Sequence, residues 1–203
     1  MASSAIAVAM LGGCSAGSVA APKARSDLYT CDGCEAALER DRASLGSVAR
    51  IAGPGEPGDA LIATGTVYLP DGRTPASDVI VYAHHTNAQG YYAGGDPNAS
   101  GSARHGKLKG WVRTDDAGLY RFETIKPAPY PSMTMPAHIH LYISEAGRPT
   151  YYIDDIVFAG EFAVDVEYRA AQELRGGSGI TMLERNADGV LVARRDIILE
   201  RHP

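Results

Sequence analysis

The chain has 203 residues, room for one domain and a tail. Hydrophobic residues make up 45% and charged residues 21%, which favours a packed core over disorder. The formal net charge of -5 argues against a general nucleic-acid binder, and no run reaches the ~18 uninterrupted apolar residues of a membrane span.

In chain order, residues 1–30 read as a signal- or lipoprotein-like, flexible segment. Its short apolar run ends Leu11-Gly12-Gly13-Cys14, which resembles the lipobox of bacterial lipoproteins. The expectation is export, to the periplasm or the cell exterior, with an acyl anchor on Cys14. One feature departs from that pattern: no Lys or Arg stands between Met1 and Cys14.

Residues 31–58 read as a short helix and a linker. Cys31-Asp32-Gly33-Cys34 precedes Glu35, so Asp32 is expected to cap the helix, with Glu35 closing a capping box. A structural disulfide between Cys31 and Cys34 is preferred to a redox pair, because no βαβ pattern surrounds it. The Gly- and Pro-rich stretch 51–58 is a linker by composition.

The main domain is expected over 59–203. Gly and Pro are plentiful, at 23 and 12, and long amphipathic runs are few, which favours a turn-rich, mainly β chain. Strands are predicted over 61–69 and 79–83. Residues 94–106 form a Gly-, Ser- and Asn-rich loop. Residues 109–114 and 119–124 flank Asp115-Asp116-Ala117-Gly118, a β-hairpin signal. Strands follow over 137–143 and 151–158, then a short helix over 166–174. Residues 180–183 and 190–199 read as a closing hairpin. Strands at this spacing suggest a β-sandwich.

Within that frame, His138-Ile139-His140 is the informative pair. On a strand both imidazoles project from one face while Ala137, Ile139 and Leu141 face the core, which makes half of a metal site. Tyr130 stands in Pro127-Ala128-Pro129-Tyr130-Pro131, held by prolines that fix φ. Tyr92 follows Gly90-Tyr91 at the mouth of the long loop. A phenol titrates near ~10, so a strongly acidic ion such as Fe(III) is needed to make phenolate a ligand at neutral pH.

Taken in order, Gly65-Thr66-Val67-Tyr68, Asn87-Ala88-Gln89-Gly90-Tyr91-Tyr92, Gly118-Leu119-Tyr120-Arg121-Phe122, the proline-framed Tyr130 and Pro136-Ala137-His138-Ile139-His140 resemble the intradiol ring-cleavage dioxygenases. This family includes the catechol and protocatechuate dioxygenases. The resemblance spans roughly residues 59–160, and the N-terminal Cys pair and C-terminal Arg195-Asp196-Ile197-Ile198-Leu199 are similar to a small exported branch. It implies a prealbumin-like β-sandwich with a short N-terminal helix and long active-site loops. It also implies non-haem Fe(III) held by Tyr92, Tyr130, His138 and His140, with Tyr130 and His140 axial. The partners implied are a catechol-type diol and O2, the ring being cut between the hydroxylated carbons to give a muconate-type diacid. Tyr130 would take a substrate proton as it leaves the metal.

The chain departs from the family at Met135, where better-known members carry Arg. Arg104, Lys109 and Arg113 are candidates for the missing cation, Arg104 being taken as catalytic. His85, His105, Trp111, Asp154 and Tyr91 are candidate pocket residues. An assembly of several copies is compatible with this reading. The competing readings are a non-catalytic exported sandwich that binds ligands without metal, and a thiol redox protein built on Cys31 and Cys34.

Overall fold

A computed structural model describes residues 24–203. Cys14 and the apolar run before it lie outside the described residues. Among the described residues no helix is long and apolar enough to cross a membrane.

The chain forms β1 (Val48–Arg50), β2 (Ala60–Tyr68), β3 (Ile80–His85), β4 (Lys109–Arg113), β5 (Leu119–Ile125), β6 (His138–Ser144) and β7 (Tyr151–Phe158). The helix α1 (Val166–Ala171) separates these from β8 (Ile180–Thr181), β9 (Leu183–Arg185), β10 (Leu191–Arg194) and β11 (Ile197–Ile198). One sheet runs β1-β5-β2-β10-β9, with β11 also beside β2; the other runs β4-β3-β6-β7-β8. The mainly β sandwich expected from the strand spacing is therefore what forms.

Alternation decides which side chains meet between the sheets. Leu61, Ala63 and Val67 of β2 and Tyr120 and Phe122 of β5 pack against Val81 and Ala83 of β3 and Ile139, Leu141 and Ile143 of β6. The opposite face of the second sheet carries Ile80 and Tyr82 of β3, Trp111 of β4 and Tyr142 of β6. A 3-10 helix, Cys34–Leu38, covers that face with Cys34, Ala36 and Ala37. Trp111 Nε1–H donates to the Ala36 carbonyl (2.8 Å) and ties the cover down.

Four expectations need correction. Strands β4 and β5 do not form a hairpin. The Asp115 turn is built as expected, with Asp115 Oδ1 accepting from the Ala117 and Leu119 N–H groups, but its limbs enter different sheets. Asp-Gly turn chemistry encodes a reversal of direction, whereas strand pairing is decided by which face must be buried. Residues 180–183 are likewise split, β8 pairing with β7 and β9 with β10. Asp32 does not cap the helix: Gly33 stands at the cap with φ +80° and no side-chain cap bond forms. The segment 31–58 is more than helix and linker, because β1 within it pairs in parallel with β5. Cys31 and Cys34 are disulfide-bonded.

Candidate metal centre

Strand β6 delivers two imidazoles. His138 and His140 project from the face away from Ile139 and Leu141, as alternation requires. Opposite His140, the pairing of β6 with β7 slips: Ile139 faces Ile156 and Leu141 faces Ile153. Two residues, Asp154 and Asp155, thus stand against one, a β-bulge that turns the Asp155 carboxylate onto the imidazole.

Loops deliver the phenols. Asn87 closes the turn before Tyr92, its Oδ1 accepting from the Gln89 and Tyr91 N–H groups (3.0 Å each) and its carbonyl from Gly90 N–H (3.0 Å). Gly90, at φ +84°, lies against Pro129, where a Cβ would come within 2.1 Å of the Pro129 carbonyl oxygen. This close approach seats the Tyr92 loop on the proline-framed Tyr130 loop.

The four ring heteroatoms converge. Tyr92 Oη is 2.8 Å from Tyr130 Oη and 3.0 Å from His140 Nε2. His138 Nε2 is 3.1 Å from both Tyr130 Oη and His140 Nε2, and Tyr130 Oη is 3.5 Å from His140 Nε2. Donors that each bind a first-row metal ion at about 2 Å stand roughly 3 Å apart. The set has that spacing.

The far side of each imidazole makes the case sharper. His138 Nδ1–H donates to the Pro136 carbonyl (2.7 Å), an acceptor only. His140 Nδ1–H donates to Asp155 Oδ1 (3.0 Å). In the neutral rings both Nε2 atoms then carry bare lone pairs, 3.1 Å apart. Such a pair repels unless a cation stands between or the Tyr130 and Tyr92 hydroxyls, 3.1 and 3.0 Å away, donate to it. Burial pulls the His138 pKa down; burial also pulls at His140, but the charge and hydrogen bond of Asp155 outweigh it and raise that group overall. Burial pushes the Tyr92 phenol far up, helped by its bond to Tyr130. Burial raises Tyr130 too, against the bond from Tyr92. Two such phenols become anionic only beside a strongly polarising ion. Asp155 also lies near enough to join His138 and His140 around a cation, but its Oδ1 is engaged by His140 Nδ1 and serves to orient that ring.

A cleft of about 480 Å³ opens beside the donors, reaching Tyr92 and His140 and walled by His84, His105 and Tyr142. Arg104 lies on it, at the end of a 3-10 helix, Gly101–His105, inside what the sequence shows only as a loop. A second groove of about 370 Å³, between Tyr142, Tyr152 and Tyr168, meets His140 from its Asp155 side. The other candidate cations stand elsewhere: Lys109 Nζ donates to the Ser102 carbonyl (2.5 Å), and Arg113 pairs with Asp78 (3.3 Å). His85 is buried between the Thr86 carbonyl and Thr124 Oγ1 (2.7 Å each). Trp111 packs under the Cys34–Leu38 helix, and Asp154 accepts from the Leu174 and Arg175 N–H groups (2.9 and 3.2 Å). Tyr91 is 59% exposed and no part of the donor set. Sequence reasoning missed Asp155, although two adjacent carboxylates in the apolar run Tyr151–Phe158 are the signal that marks it.

The chain is similar to known proteins along much of its length. The family model described as dioxygenase (Dioxygenase_C) matches residues 39–199. Catechol 1,2-dioxygenase 1 of Acinetobacter lwoffii is 31% identical over 107 residues, covering 45% of this chain and 33% of that protein. The protocatechuate 3,4-dioxygenase beta chain of Burkholderia cepacia is 37% identical over 100 residues, covering 42% of this chain and 39% of that one. The chain thus spans well under half the length of these curated relatives. Among solved structures, catechol 1,2-dioxygenase of Acinetobacter sp. ADP1 superposes with a TM-score of 0.56 at 23% identity, over 76% of this chain and 57% of that one. With its family model matched along most of its length and its sandwich shared with a solved catechol dioxygenase, the protein belongs to the intradiol ring-cleavage dioxygenase family.

Proposed function

We propose that this chain is a ferric, non-haem intradiol dioxygenase. It binds a catechol-type aromatic diol and adds both atoms of O2, cutting the ring between the hydroxylated carbons to a muconate-type diacid. The observation that carries this reading is the convergence of two phenol oxygens and two imidazole nitrogens at separations of 2.8–3.5 Å. Tyr92, Tyr130, His138 and His140 would hold the iron. When bound, Fe(III) supplies Lewis acidity toward the diol and accepts charge from its ring.

The remaining chemistry belongs to the chain. Asp155 and the Pro136 carbonyl hold the imidazoles with their Nε2 lone pairs forward. Tyr130 Oη, carried on a loop apart from the strands, accepts a proton from the diol and keeps it as a neutral phenol; burial favours that neutral form. Arg104, the one Arg or Lys on the cleft among the described residues, faces the negative charge of the deprotonated diol in place of the Arg absent at Met135. His84, His105 and Tyr142 keep the walls flat and aromatic, suited to a planar ring.

The test is reconstitution with ferric salt, followed by iron content, visible spectrum and oxygen uptake against a catechol panel on one sample. Iron-loaded protein is expected to show a broad tyrosinate-to-iron band and to consume O2. Colourless protein after reconstitution would falsify the reading. We also propose export with an acyl anchor on Cys14; membrane-fraction protein retaining an intact Met1 by mass spectrometry rules that out.

A further inference from the structure

The Cys31–Cys34 loop takes no part in the donor set, yet it reaches the cleft. Its disulfide closes a four-residue ring, and the Cys34–Leu38 helix that follows is fixed to the sheet by Trp111 and the packing of Ala36 and Ala37. That helix grips the second short helix, Gly101–His105. Glu35 Oε1 accepts from Gly101 N–H (3.2 Å) and Glu39 Oε1 from Ser102 N–H (2.7 Å).

Arg104 stands two residues further on, and its guanidinium is held at two nitrogens. Nη2–H donates to Asp32 Oδ2 (2.7 Å) and Nε–H to His105 Nε2 (3.3 Å). Accepting at Nε2 leaves neutral His105 its proton at Nδ1, which donates to Tyr82 Oη (2.7 Å). Gly33 lies so close that a Cβ there would meet Arg104 Nη2 at 2.9 Å and His105 Nε2 at 3.5 Å. Among the described residues no hydrogen bond uses the third nitrogen, Nη1.

We infer that Asp32, held in place by the Cys31–Cys34 bridge, is a positioning residue that aims Arg104 at a deprotonated diol in the cleft. The Asp32 side chain is 88% exposed, so its ion pair adds little to stability. What it removes is the rotamer freedom of a long side chain that must meet charge at a fixed place. The loop is built for this: the disulfide limits the travel of Asp32, and glycine at position 33 lets the backbone seat against the guanidinium.

The inference rests on the ring-cleavage reading, and the test separates the two. Ferric-loaded wild type, Asp32→Asn, Asp32→Glu and the Cys31→Ser/Cys34→Ser double variant are titrated with catechol without oxygen, following the visible band, and then assayed for oxygen uptake. Asp32→Asn is expected to weaken catechol binding about fivefold and raise KM in step, with kcat changed by less than about twofold. Asp32→Glu is expected to recover most of the loss, and the double Ser variant to shift in the direction of Asp32→Asn. On metal-free protein, phenylglyoxal should modify Arg104 faster in Asp32→Asn than in wild type, read by peptide mass. If wild type takes up no iron or binds no catechol, the ring-cleavage reading fails. If wild type does both and Asp32→Asn matches it, or binds catechol more tightly, the positioning role fails.

Discussion

Asp155 Oδ1 accepts the Nδ1 proton of His140 at 3.0 Å, and a β-bulge in β7 is what brings the two together. The carboxylate fixes the ring's tautomer, keeps Nε2 free of hydrogen and raises its basicity. Asp155→Asn is therefore expected to lower iron affinity about 10–100-fold, with the fold intact. Iron retained after dialysis against a graded chelator series measures this. Affinity equal to wild type would mean that the ring is oriented by β6 without help.

The two phenols are distinguished from their neighbour by what they touch. Tyr92 Oη reaches Tyr130 Oη and His140 Nε2, while Tyr91 is exposed. Tyr92→Phe and Tyr130→Phe should each abolish or strongly shift the visible band and reduce retained iron. Tyr91→Phe should leave both near wild type. Absorption spectra of the three variants at equal protein concentration settle the register, and bleaching by Tyr91→Phe alone would place the ligand one residue earlier.

The elements that carry these side chains were legible in the sequence, whereas the choice of Tyr92 over Tyr91 came only from the family resemblance. Strand periodicity places His138 and His140 on one face of β6, and proline and glycine chemistry marks the stiff loops that carry Tyr130 and Tyr92. The alternating strands β2 and β6 were legible for the same reason, since each has one face against the core. Strand partnership was not. The Asp115 turn predicts a reversal equally well for a hairpin and for a crossing between sheets. Nor was the Arg104 environment, because Asp32 lies 72 positions away and Gly101–His105 has the composition of a loop. The adjacent carboxylates Asp154 and Asp155 mark an unusual place in β7, but which of them meets His140 depends on the bulge, and a one-residue slip in pairing leaves no periodicity to read.

Acid should begin to destabilise the metal-free protein before its carboxylates protonate. His85 is buried, and burial pushes its pKa down from 6.5 to about 4; burial, then Arg104, does the same to His105. Between these values the unfolded chain binds protons that the folded chain refuses, so stability falls as pH falls. The stabilisation is complete above pH 6.5 and is lost on approach to pH 4. For His85 it amounts to about 3 kcal/mol. Urea midpoints of chelator-treated protein at pH 7, 6, 5 and 4 should decline through this window, and His85→Gln should flatten the decline. A midpoint constant from pH 7 to 4 contradicts the assignment.

Gly90 links the backbone to the donor set. At φ +84° an L side chain costs about 1 kcal/mol through local sterics. The larger effect is contact, because a Cβ at position 90 would sit 2.1 Å from the Pro129 carbonyl oxygen and 3.1 Å from Pro131 Cδ. Backbone cannot rotate away as a side-chain tip can, so the Tyr92 and Tyr130 loops must move apart. Tyr92 Oη then leaves the 2.8 Å contact with Tyr130 Oη on which the donor spacing depends. Gly90→Ala is expected to lose most of its iron and its visible band at a pH and temperature where circular dichroism still reports a folded sandwich. Gly55→Ala is the control: its φ is +83°, but nothing lies within 4 Å of the added carbon. It carries the same local strain without the collision, so it should lose about 1 kcal/mol of stability and keep its iron. Equal iron loss in both variants would assign the effect to backbone strain, and full iron retention in Gly90→Ala would show that the two loops need not touch to bring the phenols together.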